Sequence, residues 1–145
     1  MLKLYIPFFF IQIILYSCQS KKIQINESNL AFRIDFQDGF ISDTISVSIN
    51  KCQVVNKKIL TSNKLPGVTD LQLLVYSNGS DNHEIHDKKQ IIKCENKDTI
   101  RLLILFNSAK LDYVGYLSKG KYFGFNKINS QKLEFEQSVV PFYYD

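Results

Sequence analysis

The most regular stretches of this chain alternate apolar and polar residues. Phe32, Ile34 and Phe36 interleave with Arg33, Asp35 and Gln37, and Ile45, Val47 and Ile49 with Thr44, Ser46 and Ser48. Leu71, Leu73 and Val75 keep the same spacing, as do Leu133 and Phe135 between Glu134 and Glu136. Successive side chains of a strand point to opposite faces, so a period of two predicts strands with one face buried and the other in water. Asp98–Phe106, DTIRLLILF, departs from this rule. It is apolar on both faces from Leu102 to Phe106, which predicts a central strand covered on both sides. Shorter strands are expected at Cys52–Leu60, around Ile91-Ile92, at Val114–Leu117 and at Tyr122–Phe125, with Val139–Tyr144 adding an edge.

Turn residues separate these runs: Asp38-Gly39, Asn50-Lys51, Leu65-Pro66-Gly67, Asn78-Gly79 and Ser118-Lys119-Gly120. Glycine and asparagine accept positive backbone φ, and proline presets one turn dihedral. The polar run from Asn78 to Asp87 and the stretch Ser108–Asp112 are expected as loops. After Cys18 no segment keeps the i, i+3, i+4, i+7 spacing of a helix over about eleven residues. About seven to nine short strands divided by turns predict an all-β fold, an antiparallel β-sandwich of immunoglobulin-like or transthyretin-like kind. Such a fold hosts many functions and implies none of them.

The first eighteen residues read differently. Lys3 precedes an apolar run from Leu4 to Tyr16 broken only by Gln12, and Ser17 and Cys18 follow. A basic start, an apolar middle and a small-residue end make a secretory signal peptide. Leu4–Ser17 as a helix would reach ~21 Å, short of the roughly 30 Å hydrocarbon core of a bilayer. Leu15-Tyr16-Ser17-Cys18 resembles a bacterial lipobox, with Leu three residues before the cysteine and Ser immediately before it. The resemblance implies cleavage before Cys18, lipid on its thiol and on the new amino group, and anchorage in a membrane. The alternative is ordinary secretion, with Cys18 incidental. Each buried CH₂ contributes about 0.8 kcal/mol, so two or three acyl chains hold a protein firmly. Gln19-Ser20-Lys21-Lys22 carries no acidic run, which favours a periplasm-facing anchor. The expected organisation is signal peptide 1–17, lipidated cysteine and tether 18–30, and one β-sandwich domain 31–145.

Composition adds limits. The 145 residues carry 18 Lys+Arg against 14 Asp+Glu, a formal charge of +4. Removing Lys3 with the leader lowers it to +3, too mild and too scattered for nucleic-acid binding. No cofactor is implied. Eleven Phe and eight Tyr supply the bulk in the absence of Trp.

With Cys18 lipidated, Cys52 and Cys94 are the remaining cysteines. An exported compartment permits a bridge between them. Closing a loop of about 42 residues would stabilise the fold by roughly 4 kcal/mol in the chain-entropy treatment. Two buried thiols are the alternative, because cysteine packs as a small hydrophobe. His83-Glu84-Ile85-His86-Asp87 gathers ligand types suited to zinc or copper. Its two histidines are three apart, which a strand would set on opposite faces, and the run reads first as a solvated loop. Tyr113, Tyr116, Tyr122, Phe123, Phe125, Phe142, Tyr143 and Tyr144 suit core and cross-strand packing first, and a binding face second. The sequence carries no GxSxG elbow, phosphate-binding glycine loop or CxxC pair. The leading expectation is a membrane-anchored, non-enzymatic binding or scaffolding domain of the cell envelope. The second is a metal- or small-ligand-binding lipoprotein using His83, Glu84, His86 and Asp87.

Overall fold

The alternating runs become the ladders of two sheets. The computed structural model describes residues 29–64, 67–77, 82–85, 90–93 and 98–144, with 82–85 and 90–93 described as backbone. Eight strands of six to nine residues are present: β1 (Leu30–Phe36), β2 (Asp43–Ile49), β3 (Cys52–Leu60), β4 (Gln72–Ser77), β7 (Thr99–Phe106), β8 (Ala109–Tyr116), β9 (Tyr122–Asn129) and β10 (Lys132–Ser138). A hairpin of two four-residue strands, β5 (Asn82–Ile85) and β6 (Gln90–Lys93), completes the set. The larger sheet runs β10-β9-β1-β4-β5-β6 and the smaller β3-β2-β7-β8. They pack face to face as a β-sandwich, antiparallel except where β1 pairs in parallel with β9.

Period two decides what lies between the sheets. Phe32, Ile34, Phe36, Leu73, Val75, Phe123 and Phe125 from the larger sheet meet Ile45, Val47, Ile49, Ile100, Leu102, Ile104 and Phe106 from the smaller. Aromatic rings knit the core: Phe36 stacks on Phe125 at 5.3 Å, and Phe40 sets its edge against Phe106 at 5.9 Å. At one side of the sandwich, Tyr113 on β8 donates a 2.9 Å hydrogen bond to the Leu133 carbonyl of β10. Beside it the Gln137 side-chain amide imitates a neighbouring strand, accepting from the Tyr116 N–H and donating to the Tyr116 carbonyl.

The Asn50-Lys51 turn has positive φ at both residues, +46° and +73°, which suits the twist of a tight hairpin. Asn107 turns β7 into β8 in the same left-handed region, at φ +53°. Its side chain also accepts from Thr44 N–H and donates to Asp43.

Four expectations are corrected. Ser108–Asp112 is not a loop, because β8 begins at Ala109. The polar run after Asn78 forms strand β5 over Asn82–Ile85, paired with both β4 and β6. Central strand β7 is covered on one side only: its inner residues are buried, whereas Leu105 is 47% exposed on the outer face. Val139–Tyr144 adds no edge strand and turns instead onto the larger sheet. Among the described residues no helix is long and apolar enough to cross a membrane.

Candidate functional site

The polar half of the first alternating run builds the site. With Phe32, Ile34 and Phe36 committed to the core, Arg33, Asp35 and Gln37 belong to the outer face of the larger sheet. Strand register lays a row across that face: Glu136 opposite Gly124, Gly124 opposite Asp35, and Asp35 opposite Gln72. The segment after β10 crosses this row. Phe142, like Tyr76, packs against the buried cluster of Leu30, Leu74 and Tyr122. Its ring presses on Gly124, where a Cβ would stand 2.9 Å from the ring and 2.6 Å from Gln37 Nε2. Gly124 is therefore the position that lets the segment approach. Gln37 Nε2 donates a 2.8 Å hydrogen bond to the Tyr144 hydroxyl. Under this cover Asp35 is 3% exposed and Gln37 6%.

A cleft of about 100 Å³ remains between the segment and the sheet. Arg33, Asp35, Gln72, Thr69 and Tyr144 line it with polar groups, and Val68, Leu71 and Phe36 complete the lining, Phe36 keeping its ring in the core between the sheets. Asp35 Oδ1 accepts from Arg33 Nε at 2.9 Å and from Gln72 Nε2 at 2.8 Å. Oδ2 lies 2.7 Å from the same Nε, an ionic contact, yet receives no hydrogen bond. Nε has one hydrogen to give, and Oδ1 already takes it. Among the described residues Oδ2 is the one buried side-chain polar atom without a hydrogen bond. Oδ2 is itself buried, so what meets it is the Arg33 charge at 2.7 Å. Burial, and after it the Asp35 charge, pushes the Tyr144 phenol up to about 12 against the opposing effect of the Gln37 hydrogen bond. Tyr144 therefore keeps its proton at neutral pH and offers a donor.

A second buried carboxylate gives the contrast. Asp43 is 5% exposed and fully engaged, accepting from Lys127 Nζ at 2.7 Å, Ile41 N–H at 2.8 Å and Asn107 Nδ2 at 3.0 Å. Nothing is left over, so Asp43 ties strands together and presents no site.

Protein-family models, curated proteins and solved structures were compared with the chain, and none matches. The site therefore rests on its own geometry.

The residues expected from sequence fall elsewhere. Cys18 lies outside the described residues. Cys52 opens β3, half-buried and packed against the main core. Cys94 lies outside the described residues, immediately after β6, whose backbone approaches β3. His83 and Glu84 pair with Ser77 and Tyr76 of β4 as strand positions, not as a loop. His86 and Asp87 lie outside the described residues. Among the described residues no group of three His, Cys, Asp or Glu side chains is placed to hold a metal ion. The aromatic set divides. Tyr122, Phe123 and Phe125 are buried, Tyr113 packs against the core, Tyr116 and Tyr143 are exposed, and Phe142 and Tyr144 cover the outer face. Sequence reasoning did not find Arg33, Asp35 and Gln72, whose alternation reads as an ordinary solvent face.

Proposed function

We infer that this protein is an exported, membrane-anchored binding domain. Lipid on Cys18 holds it in the cell envelope, facing the periplasm, and the outer-face cleft takes a ligand without transforming it. The observation that supports the binding half is the cleft of about 100 Å³ lined by Arg33, Asp35, Gln72 and Tyr144 on the outer face of the larger sheet. Binding rather than turnover suits the groups present. The Thr69 hydroxyl already donates to the Phe36 carbonyl, and Asp35 is held by an ion pair from its own strand. The anchor half is supported by Leu15-Tyr16-Ser17-Cys18 and by the position of the first strand, which starts at Leu30. The intervening dozen residues, if fully extended, would reach at most ~40 Å from the bilayer surface.

The anchor is tested by growing bacteria that express the full chain on radiolabelled palmitate. Wild type is expected to carry label and to partition into the detergent phase, whereas Cys18→Ala is expected to do neither. Unlabelled wild type, or label that survives in Cys18→Ala, overturns it.

A further inference from the structure

We propose that the end of the sandwich where β1 enters lies on the membrane that holds Cys18, with Val139 and Val140 at the bilayer surface and Lys119 and Lys121 over its anionic headgroups. The inference rests on the anchor half of the reading above and is independent of the cleft.

Topology gathers this end. β1 runs parallel to β9, with Arg33 opposite Tyr122 and the Arg33 N–H donating to the Lys121 carbonyl at 2.8 Å. Leu30, the first residue of β1, therefore reaches past the start of β9 to the level of the Lys119-Gly120-Lys121 turn. β10 finishes beside that turn, since Ser138 pairs with Tyr122. Gly120, at φ +136°, lies directly against the Ser138 carbonyl, an approach that a side chain would block. The chain then reverses, and by Phe142 it is back over Gly124. Val139 and Val140 form the apex of that reversal, 70% and 56% exposed.

Two exposed valines alone are ordinary surface. The point of chain entry supplies their partner. The dozen residues between Cys18 and Leu30 extend at most ~40 Å. Turning the opposite end to the lipid would take up about 27 Å of that length, in doubling back along an eight-residue strand such as β9. The short tether keeps the entry end towards the bilayer.

Charge complements an anionic surface. Lys119 is exposed, and so is Lys51 in the β2–β3 turn at the same end, next to Asn50, whose N–H donates to the Arg101 carbonyl. Asp98, an acidic group of this end, already accepts from the Ser118 N–H and hydroxyl. Lys119 Nζ lies 5.1 Å from the centre of the half-exposed Tyr116 ring. A ring with a cation above it suits the boundary between acyl chains and phosphates. Basic side chains within a Debye length of anionic lipid are drawn to it. Lys21 and Lys22, close behind Cys18, add to the same attraction.

The chain has no tryptophan, so a single introduced Trp reports on one place. The full chain is expressed in bacteria and reconstituted from their membranes into phosphatidylcholine vesicles, with or without phosphatidylglycerol, that carry a nitroxide-headgroup lipid as quencher. Val140→Trp is expected to be quenched and blue-shifted on the phosphatidylglycerol vesicles, and Ile128→Trp, at the far end of β9, to be neither. Lys119→Glu with Lys121→Glu, added to Val140→Trp, is expected to lower the quenching about threefold or more. Near-UV circular dichroism checks that each variant keeps its fold, and vesicle flotation follows the anchor separately. A chain that floats on phosphatidylcholine alone, yet leaves Val140→Trp unquenched on phosphatidylglycerol, overturns the contact and leaves the anchor standing. Equal quenching at both positions overturns the contact too, as does quenching indifferent to the charge reversal. A chain that does not float overturns anchor and contact together.

Discussion

Asp43 and Lys127 meet at 2.7 Å and join the first strand of the smaller sheet to β9 of the larger. Burial alone would push the Asp43 carboxyl up. The hydrogen bonds from Asn107, Lys127 and the Ile41 N–H, with the Lys127 charge, outweigh it and hold the carboxyl below its ordinary range. A carboxyl depressed in the folded state contributes stability that is present above the unfolded value of about 3.9 and is lost as pH falls through the folded one. Urea unfolding at stepped pH is therefore expected to lose stability below about pH 4, with a shallower loss in Asp43→Asn. Lys127→Met leaves the carboxylate without its cation and is expected to cost about 3 kcal/mol at neutral pH.

Arg33 and Asp35 are expected to behave in the opposite way. Their pair is buried and incompletely hydrogen-bonded, so it contributes little to the fold beyond keeping two charges from isolation. Asp35→Leu alone is expected to destabilise by about 3–5 kcal/mol because it strands the guanidinium. Arg33→Met combined with Asp35→Leu is expected to match or exceed wild type in thermal unfolding. A double variant as unstable as the single one would mean that the pair is held for stability and not for a ligand.

Gly124 sets how closely the segment after β10 can lie. A Cβ there meets the Phe142 ring at 2.9 Å and Gln37 Nε2 at 2.6 Å, closer than real contacts allow. Gly124→Ala is expected to cost about 1–3 kcal/mol by overpacking and to lift Phe142 and Tyr144 off the sheet. Hydrogen exchange in residues 139–144 checks it, with faster exchange expected there than in the wild type and no change in β7.

Tyr144 reports on the same cover. Its phenol sits at about 12, raised first by burial and then by Asp35. The folded state therefore holds a proton that the unfolded state has released, and stability falls as pH rises from about 10 to 12. Tyr76 and Tyr113 are raised by burial as well, so Tyr144→Phe is expected to remove part of this alkaline loss. A variant with the wild-type alkaline profile would mean that Tyr144 stands free of the sheet.

Much of the sandwich is legible in the alternation itself. Phe32, Ile34 and Phe36 announce an inner face, and Asn50-Lys51 announces its hairpin. What alternation cannot carry is the identity of the layer on each side. Asp35 reads as a solvent-facing residue because the cover that buries it, Phe142 and Tyr144, arrives more than a hundred residues later. Leu103 and Leu105 show the reverse case. Their apolar character reads as burial, yet they lie on the outer face of the smaller sheet, and Leu105 is 47% exposed. Asn82–Ile85 is polar enough to read as loop, but the ladder hydrogen bonds of β4 and β6 supply what side-chain burial does not announce. The cleft belongs to the part that sequence hides, since it exists only where two distant segments meet.

Cys52 opens β3 and Cys94 follows β6 directly, and the backbones of those strands approach each other. A bridge between the two cysteines would let reductant lower the melting temperature of the wild type but not of Cys52→Ala, whereas two packed thiols would leave both unmoved by reductant.

The most direct test of an anchored binding domain is the intact mass of the protein purified from its native membrane without reductant. The account predicts a chain running from Cys18 to Asp145 with added acyl mass. A chain without lipid, or one that still carries Met1–Ser17, would contradict it.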